Sequence, residues 1–363
     1  MKNTFGTNVS VTIFGESHGE AIGAVLDGMA PGIPVDMEFI EHMLSLRRPS
    51  GSISTARREP DPVKIVSGVF GGVTTGTPIG IIIPNTSKKS SDYDELKTVA
   101  RPSHADYAAF CKYHGFNDYR GGGHFSGRIT AALVAAGAIA LGALKQKGIL
   151  IGTHISRLDG INDRPFGKLK SDIEKLENLH FPVLDEQKSK EMRAAIEAAA
   201  NDGDSVGGIL ETAVVGMPSG VGEPWFDTLE GVLSHVLFSI PAVKGVQFGD
   251  GFGFADRKGS EANDAFCIKN GEIQTVSNRN GGINGGISNG MPIIFSCAVK
   301  PTPSIYKEQN TVDFAEKTEK KLQIKGRHDP AIIHRARAVV DSAAAIALCD
   351  ALSGRFGTDW LKG

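Results

Sequence analysis

Val9, Val11 and Ile13 alternate with polar neighbours, the two-residue period of a half-buried strand, and lead into GESHG at residues 15 to 19. Runs rich in Val and Ile predict further strands at 64 to 70, 79 to 84, 209 to 215 and 292 to 300. Helical spacing predicts helices at 36 to 46, 128 to 147 and 186 to 201, near 226 to 238, and at 331 to 352 after Pro330. Gly148 is placed to cap the second of these. The run ITAALVAAGAIALGAL, 129 to 144, is shorter than a membrane span needs and is followed by Lys145 and Lys147, so it predicts a buried helix. The polar stretches 47 to 62 and 86 to 100 predict loops.

The pattern repeats. GESHGEAIGAVLDGMAPG, from Gly15, aligns without gaps to GDSVGGILETAVVGMPSG, from Gly203. Gly15, Ser17, Gly19, Gly28, Met29 and Gly32 match Gly203, Ser205, Gly207, Gly216, Met217 and Gly220 at one offset. GGVTTGTPIG at Gly71 then resembles GGISNGMPII at Gly285, in the same order along the chain. Two such copies, roughly 5 to 150 and 200 to 350, predict one α/β domain with an internally duplicated, pseudo-twofold core.

Composition narrows the function. The 363 residues are 40% hydrophobic and 22% charged, as in a globular chain with room for a large core. With 39 basic and 41 acidic residues there is no overall field for nucleic acid or an anionic membrane, so any anion must be bound locally. Four dispersed cysteines form no CxxC pair, and MKNTFGTNVS has no apolar signal core. A cytoplasmic protein without disulfides is expected.

GESHG fits the G-x-S-x-G pattern of a hydrolase nucleophile, which would make Ser17 the reactive group, with His334 and Asp329 as partners. Only fourteen residues precede Gly15, too few for the strands that should come first. Position 17 is Ser in both repeats, as a structural turn would have it, whereas His18 becomes Val206. The asymmetric residue is the better candidate for chemistry. YRGGGHFSGRITAA, 119 to 132, is a glycine-rich turn entering a helix, where backbone N–H groups can approach an anion. Arg128 and Ile129 replace the Lys and Ser or Thr of a P-loop, and no dinucleotide-binding glycine pattern follows a strand. Arginines at 47, 48, 57, 58, 101, 120, 128 and 327 stand near these turns and suit a substrate with carboxylates and phosphate. The histidines lack metal-ligand spacing, and His18, His104 and His328, next to Asp329, lie in turns beside arginines.

Taken together, GESHG, RRPS with TARREPD, RPSHADY, YRGGGHFSGR, SIPAVKGVQFG, NGGINGGISNG, VKPTPS and GRHDP resemble the chorismate synthase family, from residue 5 to about 350 and in the same order. The resemblance implies a β-α-β sandwich, a homotetramer, and a trans-1,4-elimination that converts 5-enolpyruvylshikimate 3-phosphate to chorismate and phosphate. It implies dependence on reduced FMN with no net redox change. By the same resemblance His18 protonates the departing phosphate, His104 lies by the flavin, and Asp329 assists removal of the C6 proton. Arg47, Arg57, Arg128 and Arg327 would neutralise substrate charge. FMN would be held by His124, Phe125 and Ser126, by Ala242 and Lys244, by Gly285, by Lys300, Pro301, Thr302, Pro303 and Ser304, and by Arg327. Apart from the resemblance, the polar composition of 86 to 100 suggests a lid that orders over bound FMN and substrate.

Two positions depart from a common variant of the family. His124 and Phe125 replace an Arg-Ser pair, and Ile53 stands where some members carry an Arg proposed to meet NADPH. The expectation is a monofunctional enzyme whose flavin is reduced by an external partner rather than through a bound NADP coenzyme. A serine hydrolase and a non-catalytic flavin- or phosphate-binding homologue are the alternatives.

Overall fold

The computed structural model of the chain describes residues 2–49, 51, 53–54, 60–86, 97–324 and 329–362. Arg57, Arg327, His328 and the central part of the expected lid, 87 to 96, lie outside the described residues.

The N-terminal alternation forms strands β1 (Thr4–Phe5), β2 (Ser10–Gly15) and β3 (Ala21–Asp27), paired antiparallel in sequence. Helix α1 (Met37–Arg47) begins where Asp36 Oδ1 accepts the Phe39 N–H at 3.0 Å, satisfying one of the open donors of its first turn. Next come β4 (Lys64–Ile65), a hairpin of β5 (Val69–Phe70) and β6 (Val73–Thr74), and β7 (Ile79–Pro84). The strand expected over 64 to 70 is broken because Gly68, at φ +80°, turns the chain between β4 and β5. Helix α2 (Asp106–Tyr113) precedes the glycine-rich turn, and α3 (Thr130–Gln146) follows it.

The second half supplies β8 (Leu150–Leu158), β9 (Ile161–Asn162), α4 (Leu169–Leu176) and α5 (Glu186–Asn201), then β10 (Gly208–Val215), α6 (Leu229–Phe238) and β11 (Val243–Phe248). A short α7 (Gly259–Ala262) and three hairpin pairs come next: β12 (Phe266–Lys269) with β13 (Glu272–Thr275), β14 (Ile283–Asn284) with β15 (Ile287–Ser288), and, after β16 (Ile293–Val299), β17 (Gln309–Asp313) with β18 (Thr318–Leu322). Helix α8 (Ile333–Phe356) runs past the expected end at 352 and through Gly354, stopping at Gly357, whose φ is +83°.

Two five-stranded antiparallel sheets result, in the orders β1-β2-β3-β7-β4 and β11-β16-β10-β8-β9. Read from opposite ends they are the same arrangement, with β3 and β7 of one in the places of β10 and β16 of the other. The repeated glycines fall at matching turns: φ is +82° and +86° at Gly28 and Gly216, +58° and +60° at Gly71 and Gly285, and +83° and +86° at Gly76 and Gly290. A left-handed turn keeps its glycine because a Cβ is disfavoured there, which accounts for glycine at both positions of each pair.

Helices α1, α3, α6 and α8 fill the space between the sheets, giving the β-α-β sandwich of an α/β fold. α3 meets β2, β3 and β7, and α8 meets β8 and β10. Where α3 crosses α8, a Cβ on Gly137 would lie 2.3 Å from Ser342 Cβ, so only hydrogen fits between the helices. The apolar helical run Gly127–Gln146 is, at 20 residues, long enough to cross a bilayer, but 78% of its most apolar window is buried inside the fold. Packing rather than length makes it a core helix.

Candidate active site

The site is built on the turn between α2 and α3. Gly121, Gly122 and Gly123 have φ of +59°, +83° and +52°, a run that residues with a Cβ rarely adopt. The Ser17 N–H donates to Gly123 O at 3.1 Å, and His124 Nδ1 bonds Gly15 O at 2.8 Å, which locks this turn to the loop carrying GESHG. Ser17 Oγ lies 3.1 Å from the carbonyls of Arg120 and Gly121, which can only accept, and 3.1 Å from His18 Nδ1. Ser17 therefore donates to a carbonyl and can accept from Nδ1–H of His18, holding the ring. A Cβ on Gly121 would come within 2.2 Å of His18 Cε1, and one on Gly122 within 3.3 Å of His104 Cε1. The bare glycine backbone lets both imidazoles approach the turn.

His104 follows Ser103, whose φ is +58°, and its Nδ1 is 2.6 Å from Asp106 Oδ1 at the start of α2. Arg101 grips the same carboxylate through Nε at 2.8 Å and Nη2 at 2.7 Å. Burial by itself would raise the Asp106 carboxyl, but hydrogen bonds and charge from Arg101 and His104 outweigh it and hold the group far below the usual carboxylate range.

Arg47, at the end of α1, and Arg128, ahead of α3, are both buried and converge on Asp61. Arg47 Nε donates to Thr130 Oγ1 at 3.0 Å and Nη2 to Gly127 O at 2.8 Å, while Arg128 Nε donates to Asn85 Oδ1 at 3.0 Å. Asp61 Oδ1 accepts from Arg128, and Oδ2 lies 3.6 Å from Arg47 and 3.5 Å from Arg48. Arg48 also pairs with Glu41, and Arg47 and Arg128 bring two guanidinium groups to the cavity wall.

That cavity, of about 870 Å³, is walled by both halves of the chain. The first half contributes Arg47, His104, His124, Phe125, Ser126 and Arg128. The second contributes Ala242, Lys244, Lys300, Thr302, Pro303 and Ser304, together with Asp329, which is paired with Arg335. His18 lies against Gly121 and is not itself on the wall; Gly285, in the β14–β15 turn, and Pro301 are also off it. Ile53 is buried in the core at 2% exposure. Burial, and then the nearby charge of Lys244, push the Lys300 ammonium down. Thr302 Oγ1 is buried without a hydrogen-bond partner among the described residues. Two crowded ammonium groups and an orphaned hydroxyl suit a bound phosphate or polyol.

Asp61, Asp106 and Arg335 are absent from the sequence-based selection. Asp61 and Asp106 lie within TARREPD and RPSHADY, and Arg335 lies five residues beyond GRHDP; their importance comes from the partners they face in the fold. The hydrolase arrangement does not assemble: Ser17 bonds its neighbour His18, His334 Nε2 bonds Ser54 Oγ at 2.8 Å, and Asp329 pairs with Arg335. Burial and the surrounding cations push His334 down to about 3, so it stays neutral.

Residues 9–353 match the family model described as chorismate synthase. The chain belongs to the chorismate synthase family. It is 46% identical over 347 residues to the chorismate synthase of Pyrococcus abyssi, covering 96% of both chains. To that of Thermococcus kodakarensis it is 44% identical over 352 residues, covering 96% of this chain and 97% of the relative. A crystal structure of chorismate synthase superposes with a TM-score of 0.76 at 29% identity, covering 97% of this chain and 94% of that one. The chain is thus a carbon–oxygen lyase of the shikimate pathway to the aromatic amino acids, in a family that requires reduced flavin.

Proposed function

We propose that the 870 Å³ cavity holds reduced FMN and 5-enolpyruvylshikimate 3-phosphate together, and that its walls divide between them. The volume is in the upper part of the range of about 300–1,000 Å³ usual for ligand pockets. The observation that carries the reading is the meeting, on one cavity, of polar and cationic groups from both repeats.

Lys244, Lys300, Thr302 and Ser304, with the turn at His124 to Ser126, would hold the phosphate and ribityl chain of the flavin. Bound reduced flavin supplies the transient electron that makes phosphate a leaving group, with no net redox change. Arg47 and Arg128 neutralise the anionic oxygens of the substrate, joined by Arg57 and Arg327. In the elimination the C3–O bond breaks with departure of phosphate, and a C6–H bond breaks to form the new double bond. His18, held by Ser17 against Gly121, which lines the cavity, would deliver a proton to the departing phosphate. Asp329, held by Arg335, would assist removal of the C6 proton, and His104 would be among the groups that hold the flavin. The enzyme works as a cytoplasmic homotetramer, with FMN reduced by an external partner.

Flavin placement is tested by titrating FMN, with substrate present, into wild type and Lys244→Ala/Lys300→Ala. Loss of two charge-assisted contacts should weaken FMN by about tenfold or more. Equal affinities in a folded double variant would move the flavin elsewhere.

A further inference from the structure

We propose that Asp106, gripped by Arg101, is a positioning residue that fixes the tautomer and orientation of His104. The inference rests on His104 belonging to the reactive centre. Asp106 Oδ1 is 2.6 Å from His104 Nδ1, and a carboxylate can only accept, so that nitrogen carries the proton. Arg101 Nη2 also comes within 3.0 Å of Nδ1, but one of its two hydrogens goes to Oδ1 at 2.7 Å, and the 2.6 Å approach of Oδ1 to Nδ1 requires a proton between those two atoms, which only the ring can supply. Nδ1 is thereby committed. Nε2 is left on the side of the Gly122 turn, where a Cβ would lie 3.4 Å from it.

The carboxylate is itself fixed. Oδ2 accepts both the Arg101 backbone N–H at 3.0 Å and its Nε at 2.8 Å, so Asp106 has no freedom to turn away. The His104 N–H donates to Arg101 O at 3.1 Å, closing the loop that carries the ring, and Lys300 Nζ donates to Ser103 O at 2.6 Å. Arg101, Asp106 and His104 form one rigid unit, with the imidazole at its cavity end. Holding a catalytic imidazole in one tautomer through a buried carboxylate is worth several powers of ten where it has been measured.

Asp106→Asn is the informative variant, because Arg101 will claim the amide oxygen and leave the NH2 facing Nδ1, which must then accept. The variant is expected to lose about 10²- to 10⁴-fold in kcat while substrate KM and FMN affinity stay within about threefold. In a His104→Ala background the same change should cost less than about twofold. In 15N-histidine-labelled protein without flavin, the low-field Nδ1 proton that disappears in His104→Ala should also disappear in Asp106→Asn. A kcat near wild type, or an equal loss with and without His104, would overturn the proposal. If Asp106→Asn does not fold, Arg101→Lys keeps both charges and removes only the fork; undiminished turnover from it would be equally fatal. Wild-type turnover by His104→Ala would instead remove His104 from the reactive centre, with the proton signal still reporting the tautomer.

Discussion

The backbone of Gly121 lies so close to the His18 imidazole that a methyl group there would sit 2.2 Å from Cε1 and 2.4 Å from Nδ1. Gly121→Ala should therefore displace the ring and lower kcat by roughly 10²-fold, the usual cost of an ångström-scale misplacement. The left-handed φ of +59° adds strain, so unfolding should become easier by about 1–2 kcal/mol. Steady-state rates with reduced FMN, alongside thermal melts, check both numbers. Full activity would show that His18 is not needed where it stands.

Asp61 faces Arg47, Arg48 and Arg128, and Arg48 also pairs with Glu41. Removing its charge with Asp61→Asn takes one carboxylate from two buried guanidiniums and should destabilise the fold by about 3–5 kcal/mol. Inorganic phosphate should restore part of that stability in the variant more than in wild type, because an anion can take the lost place. Denaturant melts with and without phosphate decide it; a variant as stable as wild type would assign those arginines to other partners.

Helix α3 contains its own control for packing. Gly137→Ala drives a methyl into Ser342 and should destabilise by about 1–3 kcal/mol. Gly142→Ala, where nothing lies within 4 Å of the new carbon, should stabilise by about 0.5–1 kcal/mol. Equal effects would mean that the α3–α8 crossing is looser than the geometry shows.

His154 is buried between Asp163, at 2.8 Å from Nδ1, and Glu211, at 3.2 Å from Nε2. Burial favours its neutral form, but the two carboxylates outweigh burial and raise its pKa in the fold. A raised histidine contributes stability that is fully present below its unfolded value of about 6.5 and lost as pH rises through the folded value. Urea midpoints of wild type should thus fall from neutral to alkaline pH more steeply than those of His154→Gln. Parallel curves would contradict the assignment.

The matching glycines Gly28 and Gly216, and Gly76 and Gly290, are legible in the sequence because they occupy left-handed turns that other residues resist. β7, α5 and β10 are legible for a different reason, since each carries an unbroken apolar or helix-forming pattern. β4, β5 and β6 are not, because two-residue strands are held by their turns and partners rather than by any period of their own. His104, Arg47 and Arg128 are visible as polar residues in glycine and proline loops. Asp61 is not, since its pairing with Arg47 and Arg128 appears only when α1 and the glycine turn are brought together, and Asp106 is not, since its grip on Arg101 and His104 depends on the turn geometry within RPSHAD.

The most direct measurement mixes the protein anaerobically with 5-enolpyruvylshikimate 3-phosphate and chemically reduced FMN, and follows phosphate and chorismate together, with oxidised FMN as control. Equal amounts of both products, formed only with reduced flavin and over many turnovers per FMN, are expected of a lyase that recovers its electron. Folded, FMN-binding protein that releases neither product would contradict the assignment and leave a binding homologue in its place.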